Sequence, residues 1–226
     1  MKTYILCCPT LGKELLHALK EFGSDAKVVF LPDQLHNDPN VLRCYVQEKI
    51  NELVDAERIV VCPSGCGGGT NGLIATNCEL VIPRTRDCLD ILLSGTVVAD
   101  IYRPKHGIFV TDSWFAYMQR SSLALPRLEA KYGQEGAKEF LRKIYKGFEH
   151  FYIIDTGVYD VTKVAEGLQP LLEILHGTLD IVPGGYGILK KIAQNNFDGD
   201  FLTVPKGEQV PKDFYIVNTD LKSQSA

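Results

Sequence analysis

The chain has 226 residues, of which 45% are hydrophobic and 23% are charged, a composition typical of globular proteins. The formal net charge of −4, with Lys and Arg scattered along the chain, argues against binding to nucleic acid or to a membrane surface. The sequence lacks a secretory signal and an apolar stretch of bilayer length, so we expect a cytoplasmic protein.

Short β-rich segments alternate with longer amphipathic segments along the chain, which predicts parallel βαβ units with both sheet faces covered. The fold class is therefore α/β, with a doubly wound, mostly parallel sheet of the Rossmann-like type. The pattern restarts near Gly107, so the single α/β domain could consist of two similar lobes, 1–107 and 108–226. The tail from Phe197 onward is rich in Gly, Pro, Lys and Asp, and we expect it to wrap loosely. Strands are predicted at 3–7, 27–31, 58–62, 79–82, 108–111, 151–155 and 178–182, and helices at about 11–22, 41–54, 87–93, 112–120, 128–146, 161–175 and 184–194.

Five of the seven cysteines follow predicted strands, at the end of a parallel sheet where ligands bind. An odd number of cysteines in a reducing compartment argues against a disulfide framework. Thiolates from separate loops suit Zn or an iron–sulfur cluster, and the spacing leaves that choice open. We predict that Cys8, Cys66 and Cys88 are metal ligands, with Cys62 or Cys7 as a fourth. The remaining two, Cys44 and Cys78, are expected to be core residues.

The loop after the third strand is unusually rich in glycine and predicts a cradle for a ligand, or else a flexible turn around Cys66. Beside the thiols, we predict that a carboxylate or phosphate is bound by Arg84, Arg86 and Asp87. The alternative is that these residues are solvated charges of a surface loop. At the end of the fifth strand, Thr111 and Trp114 are further candidates, although Trp114 could instead pack and Asp112 could cap its helix. The predicted ligand-binding residues are Gly67, Gly68, Gly69, Thr70, Asn71, Arg84, Asp87, Thr111 and Trp114.

Several of these segments together resemble an uncharacterised domain family of methanogenic archaea and anaerobic bacteria, named only as a domain of unknown function. The resemblance extends from Ile5 to about Val182 and is carried by Cys8, Cys66-Gly67, Asp87-Cys88 and Trp114. Members often accompany corrinoid-dependent methyltransferases, so the resemblance implies anaerobic one-carbon metabolism and a corrinoid protein or methyltransferase as partner. The additional Cys7 and Cys62 and the Gly-rich loop depart from the family pattern and could mark a site with four or five thiolates.

Three functions remain open from the sequence. The first is a cysteine-ligated metal or iron–sulfur protein serving corrinoid-linked methyl transfer, with a small-molecule substrate. The second is a non-catalytic module that binds a small anionic ligand through the Gly-rich loop and Arg84. The third is a metal-free thiol enzyme with Cys66 or Cys88 as nucleophile.

Overall fold

The structure is a computed structural model that describes residues 1–33, 35–101, 103–104 and 106–216, without the side chain of His36. The chain divides into two compact units, and the first unit is built from two separate stretches of the chain. It comprises residues Met1–Tyr102 and Gly185–Ala226, and the second unit comprises Arg103–Gly184. The sequence pattern predicted two successive lobes with one boundary near Gly107. In the structure the second unit ends at Gly184, and the chain then returns to the first unit.

The first unit contains a five-stranded sheet, in which the strands of the chain lie in the order second, first, third, fourth and eighth. Its first four strands are parallel, which confirms the predicted α/β class with a mostly parallel, Rossmann-like sheet. Short 3-10 turns at Pro9–Leu11, Leu35–Asn37, Cys66–Gly68 and Val98–Asp100 interrupt the loops. The strands are β1 (Thr3–Cys7), β2 (Lys27–Phe30), β3 (Arg58–Val61), β4 (Glu79–Pro83) and β8 (Phe201–Val204), and the helices are α1 (Gly12–Glu21), α2 (Pro39–Glu52), α3 (Cys88–Leu93) and α7 (Gly187–Ala193).

Both faces of this sheet are covered. On one face, α2 contributes Leu42, Val46 and Ile50 to a buried cluster with Leu6, Val61 and other strand residues. The crossovers through α1 and α2 run in opposite directions along the sheet, and right-handed connections therefore place these helices on opposite faces. On the side of α1, that helix packs against α7, which in turn packs against α3.

The prediction for the C-terminal tail was wrong, because β8 is a regular strand. It pairs antiparallel with β4, from Leu80 opposite Val204 to Pro83 opposite Phe201. The pairing is a tertiary contact between distant parts of the chain, and the four residues of β8 carry no turn or periodicity signal of their own.

The second unit is a parallel sheet of β5 (Gly107–Val110), β6 (His150–Asp155) and β7 (Thr178–Pro183), in that order. Its helices are α4 (Asp112–Arg120), α5 (Leu125–Ile144) and α6 (Val161–Leu175). Its core consists of residues from α5, α6 and the strands, with Phe151 and Ile153 fully buried. As predicted, α5 is broken at Gly133, which has φ 71°. None of the helices in the described ranges is long and apolar enough to cross a membrane.

Candidate thiol site

The five cysteines singled out from the sequence lie at the carboxyl ends of β1, β3 and β4, which are neighbours in the sheet of the first unit. The chain reverses its direction across the sheet between β1 and β3, because β2 lies on one side of β1 and β3 on the other. In open parallel sheets this reversal point is where ligands bind. The residues involved are Cys7 and Cys8 after β1, Cys62 and Cys66 after β3, and Cys88 at the start of α3.

Backbone hydrogen bonds hold the loop after β3 against the segment that leads into α3. The N–H of Gly65 donates to the carbonyl oxygen of Thr85 at 3.2 Å, and the N–H of Cys66 donates to that of Arg86 at 2.8 Å. A Cβ on Gly65 would lie 2.5 Å from the Arg86 carbonyl oxygen, so only glycine permits this approach. Cys66 and Cys88 are therefore held in a fixed relation by the main chain.

Buried hydroxyl groups reinforce the same junction. The Ser64 hydroxyl lies 2.9 Å from the Pro83 carbonyl oxygen, 2.6 Å from that of Thr85 and 2.5 Å from the Thr85 hydroxyl. The Thr70 hydroxyl donates to the carbonyl oxygen of Ser64. Both Ser64 and Cys66 have left-handed backbone, with φ 57° and 31°, which non-glycine residues rarely adopt. Such strained positions persist only where the surroundings impose them, often at functional sites.

The thiols lie close enough to influence one another's ionisation. Burial raises the pKa of the Cys7, Cys8 and Cys66 thiols well above the ordinary value, and the nearby Cys88 adds to the rise in each case. The neighbouring Cys62 raises the pKa of Cys7 further. A hydrogen bond from the Cys88 backbone to the Cys66 sulfur acts in the opposite direction and is too weak to reverse the effect. Without a nearby cation, the thiols of Cys7, Cys8 and Cys66 are protonated at neutral pH.

Strand alternation divides the cysteines between the two faces of the sheet. Cys8 and Cys66 pack against the core cluster that contains α2. Cys7 is adjacent to Leu6, and Cys62 to Val61, and both neighbours point into that same cluster. Since successive strand residues point to opposite faces, Cys7 and Cys62 lie on the other face. Cys88 raises the pKa of thiols on both faces, that of Cys7 on one and those of Cys8 and Cys66 on the other.

The side chains are not arranged as a ready-made ligand set. Among the residues that the structure describes, no three His, Cys, Asp or Glu side chains are placed to hold one metal ion. All seven cysteines lie in these ranges, and each is present as a thiol rather than in a disulfide. The donor type suits a soft cation, but binding would require the thiols to lose protons and to turn towards a common centre.

Most N–H groups of the Gly-rich loop donate to backbone carbonyl oxygens, three of them within the loop. Those of Gly68 and Gly69 donate to the carbonyl oxygens of Gly65 and Cys66, and that of Asn71 donates to Gly68. Gly69 packs against Leu42, whose side chain lies 2.6 Å from where a Cβ would stand. Gly67 is exposed, and Thr70 is buried in the hydroxyl network described above. The loop geometry therefore favours a tight turn that positions Cys66.

The polar residues after β4 also have structural partners. The Arg84 Nε donates to the carbonyl oxygen of Phe214 at 2.9 Å. Arg86 forms a two-pronged ion pair with the buried carboxylate of Asp90, at 2.6 and 2.7 Å, and its backbone N–H donates to the same carboxylate. Asp87 caps α3 by accepting from Leu89 N at 3.0 Å and Asp90 N at 3.2 Å.

The last two predicted ligand-binding residues, Thr111 and Trp114, belong to the second unit. The Thr111 hydroxyl accepts a hydrogen bond from Trp114 N and caps α4, so the cap is Thr111 rather than Asp112. Trp114 packs against the core of that unit, with its ring edge-on to Tyr117 at a centroid distance of 5.4 Å. The packing role weighed from the sequence is thus observed.

Two residues depart from what the sequence suggested. Cys44, expected in the core, is exposed on α2. Glu14, not singled out from the sequence, is fully buried in the first turn of α1, where its charge adds to the raised pKa of Tyr186 that burial mainly causes. The sequence does indicate that Glu14 is buried, because it lies between Leu11 and Ala18 at helical spacing and so on the apolar face of the helix.

The model of a family described as a protein of unknown function, DUF1638, matches residues 30–193. The chain belongs to this family. The DUF1638 match includes Cys62, Cys66 and Cys88 but begins after Cys7 and Cys8, so the thiol site extends beyond the matched region. Searches of curated proteins and of solved structures gave no match.

Proposed function

We propose that this DUF1638 protein binds a thiophilic metal ion or an iron–sulfur cluster through Cys8, Cys66 and Cys88, with Cys62 or Cys7 supplying a fourth thiolate. The observation that carries the proposal is the gathering of these thiols at the reversal point of the sheet, with Cys88 close enough to influence both pairs. A cation there would replace the thiol protons and remove the mutual repulsion of the thiolates.

The two alternatives have less support in the geometry. A metal-free nucleophile needs a thiolate near neutral pH, whereas the pKa of Cys66 is raised mainly by burial. An anion cradle needs N–H groups and guanidinium groups directed at the ligand. Most N–H groups of the Gly-rich loop already donate to backbone carbonyl oxygens. Arg84 and Arg86 bind the carbonyl oxygen of Phe214 and the carboxylate of Asp90.

A more specific part of the proposal concerns the reaction that the site serves and its partner protein. We propose that the site serves corrinoid-linked methyl transfer in the cytoplasm, with a corrinoid protein or methyltransferase as partner, and this part is supported by the family resemblance alone. A bound Zn²⁺ would keep a thiolate available as a nucleophile, whereas an iron–sulfur cluster would supply electron transfer. The contribution of the chain itself is to hold Cys66 and Cys88 in fixed relation through the Gly65–Arg86 junction.

The test is metal analysis and a UV–visible spectrum of protein purified without oxygen and then incubated with Zn²⁺ or with iron and sulfide. We expect about one zinc ion or one cluster per chain, lost in the Cys8→Ser/Cys66→Ser/Cys88→Ser variant. The matched control is Cys44→Ser/Cys78→Ser, which leaves the site intact and should bind as the wild type does. If the triple variant does not fold, the three single variants replace it. Wild-type protein that binds neither zinc nor a cluster, or a folded site variant that binds as much as the control, would refute the proposal.

A further inference from the structure

Cys7 and Cys62 stand side by side at the ends of adjacent parallel strands. The register of β1 and β3 runs from Thr3 opposite Arg58 to Leu6 opposite Val61, so the next residues in line are Cys7 and Cys62. The hydrogen bond from Cys62 N to the Leu6 carbonyl oxygen, 2.9 Å, extends the ladder to this position. Residues opposite each other on neighbouring strands are about 4.8 Å apart. A disulfide spans Cα separations of about 4.4–6.8 Å.

The two side chains also lie on the same face of the sheet. Both lie on the sheet face opposite the cluster containing Leu6 and Val61, and both have 0% exposure. The Cys7 thiol lies 3.3 Å from the Cys8 carbonyl oxygen, and Cys62 is near enough to raise its pKa. Cys8, by contrast, packs on the other face. The pairing of Cys7 with Cys62 is thus selected by strand alternation and register over pairings with Cys8 or Cys66.

We infer that Cys7 and Cys62 form a redox dithiol that a small peroxide closes to a disulfide. One of the two thiols first loses its proton, and the small thiolate fraction attacks hydrogen peroxide, forming a sulfur–oxygen bond as the oxygen–oxygen bond breaks. The hydroxide released takes up that proton as water, and a sulfenic acid remains. The second thiol then displaces that hydroxyl group as a second water molecule while the sulfur–sulfur bond forms. Two thiols and one peroxide give one disulfide and two waters. Each sulfur loses one electron, and the two peroxide oxygens together gain two. Because both sulfurs are fully buried, the oxidant must be as small as peroxide.

The disulfide also bears on the proposed metal site, and this consequence rests on the proposed function. Cys62 and Cys7 are the candidates for the fourth thiolate, and a disulfide removes both from the ligand set. Oxidised protein should therefore bind metal more weakly than reduced protein, with three thiols remaining instead of a possible four.

The experiment is peptide mapping of the full-length protein, metal-depleted with a chelator, after exposure to hydrogen peroxide. Remaining thiols are blocked with iodoacetamide before tryptic digestion without reductant. Cleavage after Lys2 and Lys13 gives the peptide 3–13, which contains Cys7 and Cys8. Cleavage after Arg58 and Arg84 gives the peptide 59–84, which contains Cys62, Cys66 and Cys78. We expect these peptides to be joined, and fragment spectra to show alkylated Cys8, Cys66 and Cys78 with the link between Cys7 and Cys62.

Variants make the assignment independent of the spectra. The link should survive in Cys8→Ser/Cys66→Ser and disappear in Cys62→Ser, with a thermal melt verifying that each variant folds. A link through Cys8 or Cys66, or no link while exposed Cys44 becomes oxidised, overturns the inference. If a variant fails to fold, the wild-type map alone decides.

Metal content of reduced protein is measured separately. Metal binding without the Cys7–Cys62 link refutes only this inference, and the link without metal binding refutes only the proposed function.

Discussion

The N–H of Cys66 donates a 2.8 Å hydrogen bond to the carbonyl oxygen of Arg86, two residues before Cys88. This bond and its neighbour from Gly65 to Thr85 extend the contact of β3 and β4 beyond the end of their ladder. Two thiols 22 positions apart in the chain are thereby placed by main-chain geometry rather than by flexible side chains. Sites supported by rigid main chain keep their ligands in place more reliably than sites on free loops.

The close approach at Gly65 predicts a large effect of one methyl group. In Gly65→Ala the new Cβ would lie 2.5 Å from the Arg86 carbonyl oxygen, and the two segments would have to separate. We expect a loss of about 1–3 kcal/mol in the free energy of unfolding, and weaker zinc binding because Cys66 moves away from Cys88. Urea denaturation and zinc titration measure the two effects.

The matched control for Gly65→Ala is Gly199→Ala, in the same unit, where a Cβ has no heavy atom within 4 Å. That position also has no left-handed φ, so alanine should be neutral or slightly stabilising. Equal stability of the two variants would show that the junction tolerates separation.

The ion pair of Arg86 with Asp90 predicts a second effect at this junction. Asp90 is buried, and its carboxylate receives two guanidinium bonds and the Arg86 backbone N–H. Removing one member of a buried pair typically costs about 3–5 kcal/mol. We expect Asp90→Ala to cost about 2 kcal/mol, less than that range, because the Arg86 side chain is 34% exposed and regains water. Chemical denaturation gives the value. The exposed pair of Glu135 with Lys138 supplies the control, and Glu135→Ala should leave the denaturation midpoint unchanged.

The raised thiol pKa values predict how alkylation depends on pH. Iodoacetamide reacts with the thiolate, and burial and Cys88 hold the pKa of Cys8 and Cys66 well above the ordinary value. Their alkylation should therefore be slow at pH 8 and continue to rise by about tenfold per pH unit beyond pH 9. Mass spectrometry of chelator-treated protein follows each site, with exposed Cys44 as the internal control that reacts first. A rate for Cys66 that levels off below pH 9 would contradict the raised pKa.

Local patterns were sufficient to predict most of the fold. The strand at Thr3–Cys7 and the helices at Asp112–Arg120 and Val161–Leu175 have the bounds expected from apolar periodicity. The gathering of five thiols at one edge of the sheet was predicted from the rule that parallel strands have their carboxyl ends on one side. Those inferences need only local sequence and one general property of parallel sheets.

What could not be predicted depends on contacts between distant segments. Nothing within Phe201–Val204 indicates that it pairs with β4, and nothing in the repeating pattern shows that the chain returns to the first unit at Gly185. The roles of Arg84 and Arg86 likewise depend on Phe214 and on the burial of Asp90. The sequence pattern of a charged residue at a strand end is the same whether its side chain binds a ligand or a neighbouring carbonyl group.

A last prediction concerns stability at alkaline pH and singles out Cys7, which is completely buried. Burial and the neighbouring Cys62 raise its pKa in the folded state, so the folded protein holds the proton more tightly than the unfolded chain. The stabilisation is fully present below the unfolded pKa of about 8.5 and is lost as pH rises from there towards the folded pKa.

In that window Cys7 should contribute a slope of about −1.4 kcal/mol per pH unit to the free energy of unfolding. Urea denaturation of the wild type and of Cys7→Ala between pH 7 and 10.5, with reductant and chelator, isolates this contribution. Alanine at position 7 should lower stability at pH 7 because it leaves a cavity, yet stability should fall less steeply above pH 9. The difference in slope is independent of the cavity and of other groups that titrate alike in both proteins. Parallel curves for the two proteins would mean that Cys7 titrates in the folded state as it does in the unfolded chain.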